Sequence, residues 1–181
     1  MKTTILMFTS VLISFGAFAD LPKVLLYGNV IDSQIQEVIS SQENKQTKFV
    51  DHVMVTVICA KDTISMKPNR NTGFYSVVLE SGKRYSVTFS KEGYISKSFT
   101  IDASNVDAIE NKKSFKMFTD VSLFQLPKES DFSSCEKRPM AKCVYVPEKE
   151  RMEWDMDFAK LAFDHFLSSV KQNSTASLTR N

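Results

Sequence analysis

The chain has 181 residues, 43% hydrophobic and 24% charged, with 23 basic residues against 21 acidic ones. A balance so close to neutral offers no clustered basic face for nucleic acid. The length suits one domain with an appendage, enough to bury a sizeable core.

Residues 1–19 read as a cleavable secretory signal peptide. Lys2 gives a positive start, Ile5 to Phe18 is largely apolar, and Ala17-Phe18-Ala19 has the small-x-small pattern of a cleavage site. The apolar run is shorter than the ~20 residues of a spanning helix. No cysteine follows it to accept a lipid, so the mature chain is expected to start at Asp20 without an anchor or a transmembrane segment. A periplasmic or secreted destination follows.

From Lys23 the pattern is strand, turn, strand. Lys23–Ile31 is apolar with Gly28 inside it, which predicts a bulge or a close backbone approach. Residues 32–48 are polar and read as a loop. His52–Cys59 carries apolar residues on both faces, as in a strand buried on two sides. Residues 61–72 form a second polar loop. Phe74–Leu79 and Tyr85–Phe89, separated by Ser81-Gly82-Lys83, read as a hairpin, and Glu92-Gly93 turns the chain into Tyr94–Ile101. Phe115–Leu126 is a further strand. Short strands with regular turn signals predict a mainly β, seven-stranded antiparallel sandwich over residues 20–126.

Residues 127–172 form an extension. Ala141–Val146 reads as a strand, and Pro147 suits a first helical position. Glu148, Glu150 and Glu153, with Asp155 and Asp157, then match the positive end of a helix dipole. Met152, Met156, Ala159, Phe163, Phe166 and Val170 recur every three or four residues, giving an amphipathic helix that stops near Asn173. Residues 173–181 read as a disordered tail.

Three cysteines lie after the signal segment. Cys59 ends an apolar run and is expected to be buried. Cys135 and Cys143 flank a turn-like stretch and are candidates for a disulfide in an oxidising compartment, a pairing that geometry decides. His52 and His165 have no further ligands at metal spacing. No Gly-x-Ser-x-Gly, phosphate loop or dinucleotide fingerprint is present. The sequence therefore gives no catalytic, cofactor-binding or metal-binding residue, and the chain is expected not to be an enzyme.

Tyr27-Gly28-Asn29-Val30-Ile31-Asp32, Val53-x-Val55-x-Val57, Asn71-Thr72-Gly73-Phe74-Tyr75 and Gly82-x-x-Tyr85 are followed by Ser90-Lys91-Glu92-Gly93-Tyr94. In that order, over roughly residues 24–102, they resemble the carboxypeptidase regulatory-like domain, a transthyretin-like or Ig-like sandwich. Leu123-Phe124, Arg138-Pro139 and Trp154-Asp155 resemble the tail of short exported Bacteroidota proteins carrying that domain. The resemblance implies an exported binding or structural module of the bacterial envelope, acting by contact with an envelope protein or a glycan. It also implies an O-glycosylation candidate at Thr63, within Asp62-Thr63-Ile64. Two alternatives stand beside it. One is a transthyretin-like hydrolase, whose C-terminal Tyr-Arg-Gly-Ser is missing where this chain ends Leu178-Thr179-Arg180-Asn181. The other is a carrier of a small apolar ligand, which requires a cavity between sheet and helix.

Overall fold

A computed structural model describes residues 21–33, 48–106, 114–125 and 136–178, with side chains as far as residue 172. The expected signal peptide at 1–19, most of the expected 32–48 loop and Cys135 lie outside these residues. Two sheets face each other. The first centres on β1 (Lys23–Ser33), flanked on one side by β5 (Phe74–Glu80) and β2 (Lys48–Phe49), both antiparallel to it. On its other side run β9 (Ser114–Phe118) and β10 (Val121–Gln125), both parallel to β1, and the two-residue β7 (Tyr94–Ile95) pairs with β10. The second sheet runs β12 (Arg151–Trp154), β11 (Ala141–Val146), β8 (Lys97–Asp102), β6 (Arg84–Ser90), β3 (Met54–Cys59) and β4 (Asp62–Met66). The mainly β sandwich class is as the sequence implies. Over residues 20–126 the described residues hold ten strands instead of seven, the extension adds β11 and β12, and β11 on β8, like β9 and β10 on β1, pairs in parallel.

Alternation places Val24, Leu26 and Val30 inward from β1, Tyr75, Val77 and Leu79 from β5, and Tyr85, Val87 and Phe89 from β6. The Tyr75 and Phe89 rings meet edge to face at 4.8 Å, and Phe99 lies 5.6 Å beyond. β3 is buried on one face only. Val53, Val55 and Val57 point inward, whereas Ile58 is 41% exposed and Cys59 only half-buried. That corrects the expectation of a strand covered on both sides, because among the described residues nothing fully covers the outer face of β3.

The predicted hairpin over 74–89 is a crossing between sheets. β5 pairs with β1 and β6 pairs with β3 and β8, so the chain arches across the core at Ser81-Gly82-Lys83. Gly82 takes φ +76°, which an L side chain rarely adopts. Its N–H donates to Ala103 O at 2.8 Å, and Ala103 N–H returns a bond to Lys83 O at 2.9 Å. The Tyr85 hydroxyl closes the arch, accepting from Glu80 N–H at 3.0 Å and donating to Glu80 O at 3.1 Å.

Gly28 sits where β9 gives way to β10. The interruption at Thr119–Asp120 pushes the Thr119 carbonyl into the space a Cβ on Gly28 would fill, 1.9 Å away. Tyr27 O accepts from Thr119 N–H at 2.9 Å, Asp120 Oδ1 accepts from Asn29 N–H at 2.8 Å, and the buried Tyr75 hydroxyl donates to Thr119 O at 2.7 Å. Burial pushes the Tyr75 phenol pKa up, which keeps it a donor.

The helix starts later than Pro147 suggests. Pro147–Lys149 form one 3-10 turn, Glu150 takes a left-handed conformation at φ 46°, and the chain returns as β12 antiparallel to β11. Glu148, Glu150 and Glu153 therefore lie on a hairpin and not in a helical first turn. Glu153 bonds Lys149 at 3.0 Å and also pairs with Arg151; those cations hold its carboxyl below the usual range. The helix, α1 (Met156–Leu178), is capped by Asp155, whose Oδ1 accepts from Phe158 N–H at 2.9 Å, a bond whose loss typically costs about 1 kcal/mol. It runs past Asn173 to Leu178, since no Gly or Pro interrupts it.

Candidate functional site

α1 lies along one margin of the sandwich. Phe166 and Val170 are buried against Ile95 of β7 and Phe124 of β10, forming a small cluster separate from the main core. The Phe124 and Phe166 rings stack at 5.4 Å. Of the six residues in the expected apolar stripe, Phe166 and Val170 are the ones buried on the helix. Met152 belongs to β12, where it is buried, while Met156 (72%) and Phe163 (38%) remain exposed.

A cavity lies on each flank of the helix, and Met140 borders both. Met140 is held by its N–H donating to Ser98 O at 2.8 Å, which also sets the entry into β11. One flank, with Phe158, Leu161, Ala162 and His165 facing Arg138 and Pro139, forms a groove of about 390 Å³. Its floor is the Phe166 ring. On the other flank, Met156 and Ala159 border a cleft of about 350 Å³ that also meets Trp154, Phe99, Ser122, Asp120 and Lys97. Both volumes fall in the lower range of small-molecule sites.

Lys97 was not singled out by the sequence, although the signal was present: Ile95, Lys97, Phe99 and Ile101 alternate, which puts a lysine in an inward register. Its Nζ lies 4.1 Å from the Phe124 ring centroid and 5.9 Å from that of Phe166. Burial pushes the amine down to about 7. The ring faces attract the cation and recover part of that penalty. Asp120, on the same cleft, is engaged through Oδ1 with Asn29, and Glu136 accepts from Ser96 N–H at 2.9 Å. In the unfolded chain the same amine titrates near 10.5. Between pH 7 and 10.5 the unfolded state therefore binds a proton that the folded state has released, so stability from this group rises with pH and levels off outside that window. Lys97→Met should stabilise the fold below pH 7 and flatten the rise. Urea unfolding of both proteins at pH 6.5 and 9.5 measures this, and an identical pH difference in both would overturn it.

The residues marked by the sequence are scattered. His165 lines the α1 groove, whereas His52, 3.5 Å from Asp51, precedes β3 and borders neither cavity. Thr63 lies on β4, an exposed edge strand, and not in a loop. Cys143 is a free, fully buried thiol on β11 whose pKa burial pushes up to about 12; its candidate partner Cys135 lies outside the described residues. Among the described residues no three His, Cys, Asp or Glu side chains are grouped to hold a metal ion, and no helix is long and apolar enough to cross a membrane.

The structure is that of a two-sheet β-sandwich with a helix along one margin. No family model matches the sequence, and no curated protein matches it. Two solved structures are similar in part. A 3-chlorocatechol 1,2-dioxygenase from Rhodococcus opacus 1CP is 10% identical, with 61% of this chain and 62% of that one covered and a TM-score of 0.39. A C-terminal fragment of the pilus adhesin SpaC from Lactobacillus rhamnosus GG is 11% identical, with 59% and 46% covered and a TM-score of 0.35. This chain thus spans less than two thirds of either. The first match is an enzyme, which runs against the expectation that the chain is not one. Likeness at this level transfers no reaction and no residue roles.

Proposed function

We propose that this chain is an exported binding module of a bacterial envelope, of the carboxypeptidase regulatory-like kind, and that it holds a small, mainly apolar ligand in the groove beside α1. The observation that carries the reading is the groove itself: about 390 Å³ between α1 and the 138–140 segment that leads into β11, walled by Phe158, Leu161, Phe166 and Met140. Mostly apolar walls with Arg138 and His165 at hand are the composition that small-molecule sites favour. The leader at 1–19 supports delivery to the periplasm or beyond. A neutral hydrophobic probe, N-phenyl-1-naphthylamine, should bind the mature chain with a saturable, one-to-one fluorescence rise. Ala162→Trp, which fills the groove, should weaken that binding at least roughly tenfold, about 1.4 kcal/mol. Unsaturable binding, or equal affinity in the filled variant, would sink the reading.

A second reading, contact with an envelope protein, is favoured by Met156 and Phe163. Seven residues apart, they share an exposed apolar strip on α1. Crosslinking in the native envelope that captures one stoichiometric partner, lost in a Met156→Asp, Phe163→Asp double variant, would support it.

A further inference from the structure

Lys97 occupies a place in the fold suited to an aliphatic residue. It shares the inward face of β8 with Phe99 and Ile101, both buried. Its amine rests on the Phe124 ring at 4.1 Å and near that of Phe166 at 5.9 Å. Among the described residues no carboxylate comes within 4.0 Å of it. An unpaired charge in such surroundings opposes folding, and a methionine would fill the same space without that penalty. What the amine adds is a nucleophilic lone pair in a largely dry setting.

The neighbouring cleft fits that chemistry. Phe99, Trp154 and Met156 give it apolar and aromatic walls, Ser122 and Asp120 give it a polar margin, and about 350 Å³ limits it to a small guest. We propose that Lys97 captures carbonyl compounds: a small aromatic or short apolar aldehyde enters this cleft and condenses with Nζ to an imine. The Nζ lone pair adds to the carbonyl carbon while the C=O π pair moves onto oxygen. A proton passes from nitrogen to that oxygen, giving a carbinolamine. The nitrogen lone pair then forms C=N as the hydroxyl leaves, taking a proton, as water. Amine and aldehyde become imine and water, with no oxidant or reductant consumed. Protonation of the imine leaves a cation where Phe124 and Phe166 present their ring faces. This cleft lies across Met140 from the α1 groove, so the inference stands or falls separately from the ligand reading above.

The test is reductive trapping on the mature chain. Benzaldehyde with sodium cyanoborohydride at pH 7.5, at limiting aldehyde, should benzylate Lys97 at least tenfold faster than exposed lysines such as Lys61 and Lys160, read by peptide mass spectrometry. The preference should vanish in urea. Lys97→Met should lose that label and leave the other lysines labelled as before. Glyoxylate, a charged aldehyde of similar reactivity, should show no preference for Lys97. Labelling of Lys97 no faster than of Lys61 and Lys160, or a preference that persists in urea, would overturn the proposal. A preference for glyoxylate over benzaldehyde at Lys97 would overturn the assigned substrate class.

Discussion

Gly28→Ala should leave little folded protein, or lose about 3 kcal/mol or more of stability. The added methyl would lie 1.9 Å from Thr119 O and 2.6 Å from Thr119 C, both backbone atoms. Overpacking typically costs about 1–3 kcal/mol where side chains can shift, and more where they cannot. Here relief requires moving the β9–β10 junction, which also holds the Tyr75 hydroxyl bond and the Asn29–Asp120 bonds. The cause is space and not backbone conformation, because Gly28 is absent from the positive-φ residues. Gly82→Ala makes the comparison informative: nothing lies within 4 Å of its Cβ position, and its φ of +76° sets the cost at about 1–2 kcal/mol. Urea denaturation followed by circular dichroism measures both. A Gly28→Ala protein within ~1 kcal/mol of the parent would show that the junction yields easily.

Phe166→Ala should detach α1 while the sandwich survives. Truncating a buried phenylalanine typically costs about 3–5 kcal/mol. Among the described residues of the helix only Phe166 and Val170 are fully buried, and they meet a cluster separate from the main core. Released into water, the helix loses the packing of its apolar face, from which most helical stability in proteins comes. Hydrogen exchange should therefore show lost protection across Met156–Val170, with β3, β6 and β8 unchanged. The Lys97 amine, opened to water as the helix lifts away, should titrate above 7 and closer to an ordinary lysine, since burial is what holds it down. Uniform loss of protection through both sheets would mean that the helix and the sandwich form one cooperative unit.

The buried faces of β1, β5, β6 and β8 are legible from alternation alone, because one wrong-facing residue would place a valine or tyrosine in water. Alternation does not say which sheet a strand joins. Phe74–Leu79 and Tyr85–Phe89 read as neighbours, yet they face each other across the core, and Ser81-Gly82-Lys83 suits an arch as well as a hairpin. Pro147 misleads for a related reason, since its fixed φ opens a 3-10 turn as readily as an α-helix. Of the bulge and the close approach that Gly28 predicts, the structure holds the close approach, and the approaching atom, Thr119 O, is 91 residues further along the chain. The α1 groove and the cleft were not legible: their walls come from residues 97–99, 119–122, 138–141 and 154–166, which are brought together by the parallel pairing of β11 with β8 and by the packing of α1 on β7 and β10. Lys97 could have been flagged by its inward register, but the rings beneath its amine come from β10 and α1.

The pairing of β11 with β8 has a consequence for shortened chains. β6 covers one side of β8, and β11 covers the other through Ala141–Val144. A chain ending before residue 140 would leave the outer rim of β8 as an open ladder of backbone donors and acceptors. In the full chain the rim is instead β12, a short strand bearing Arg151 and Glu153, whose charges discourage another strand from adding. The shortened protein should seek in a second copy the strand it lacks, by exchange or by stacking into oligomers. The C-terminal hairpin should thus keep the β8 edge from taking up a strand of a second copy.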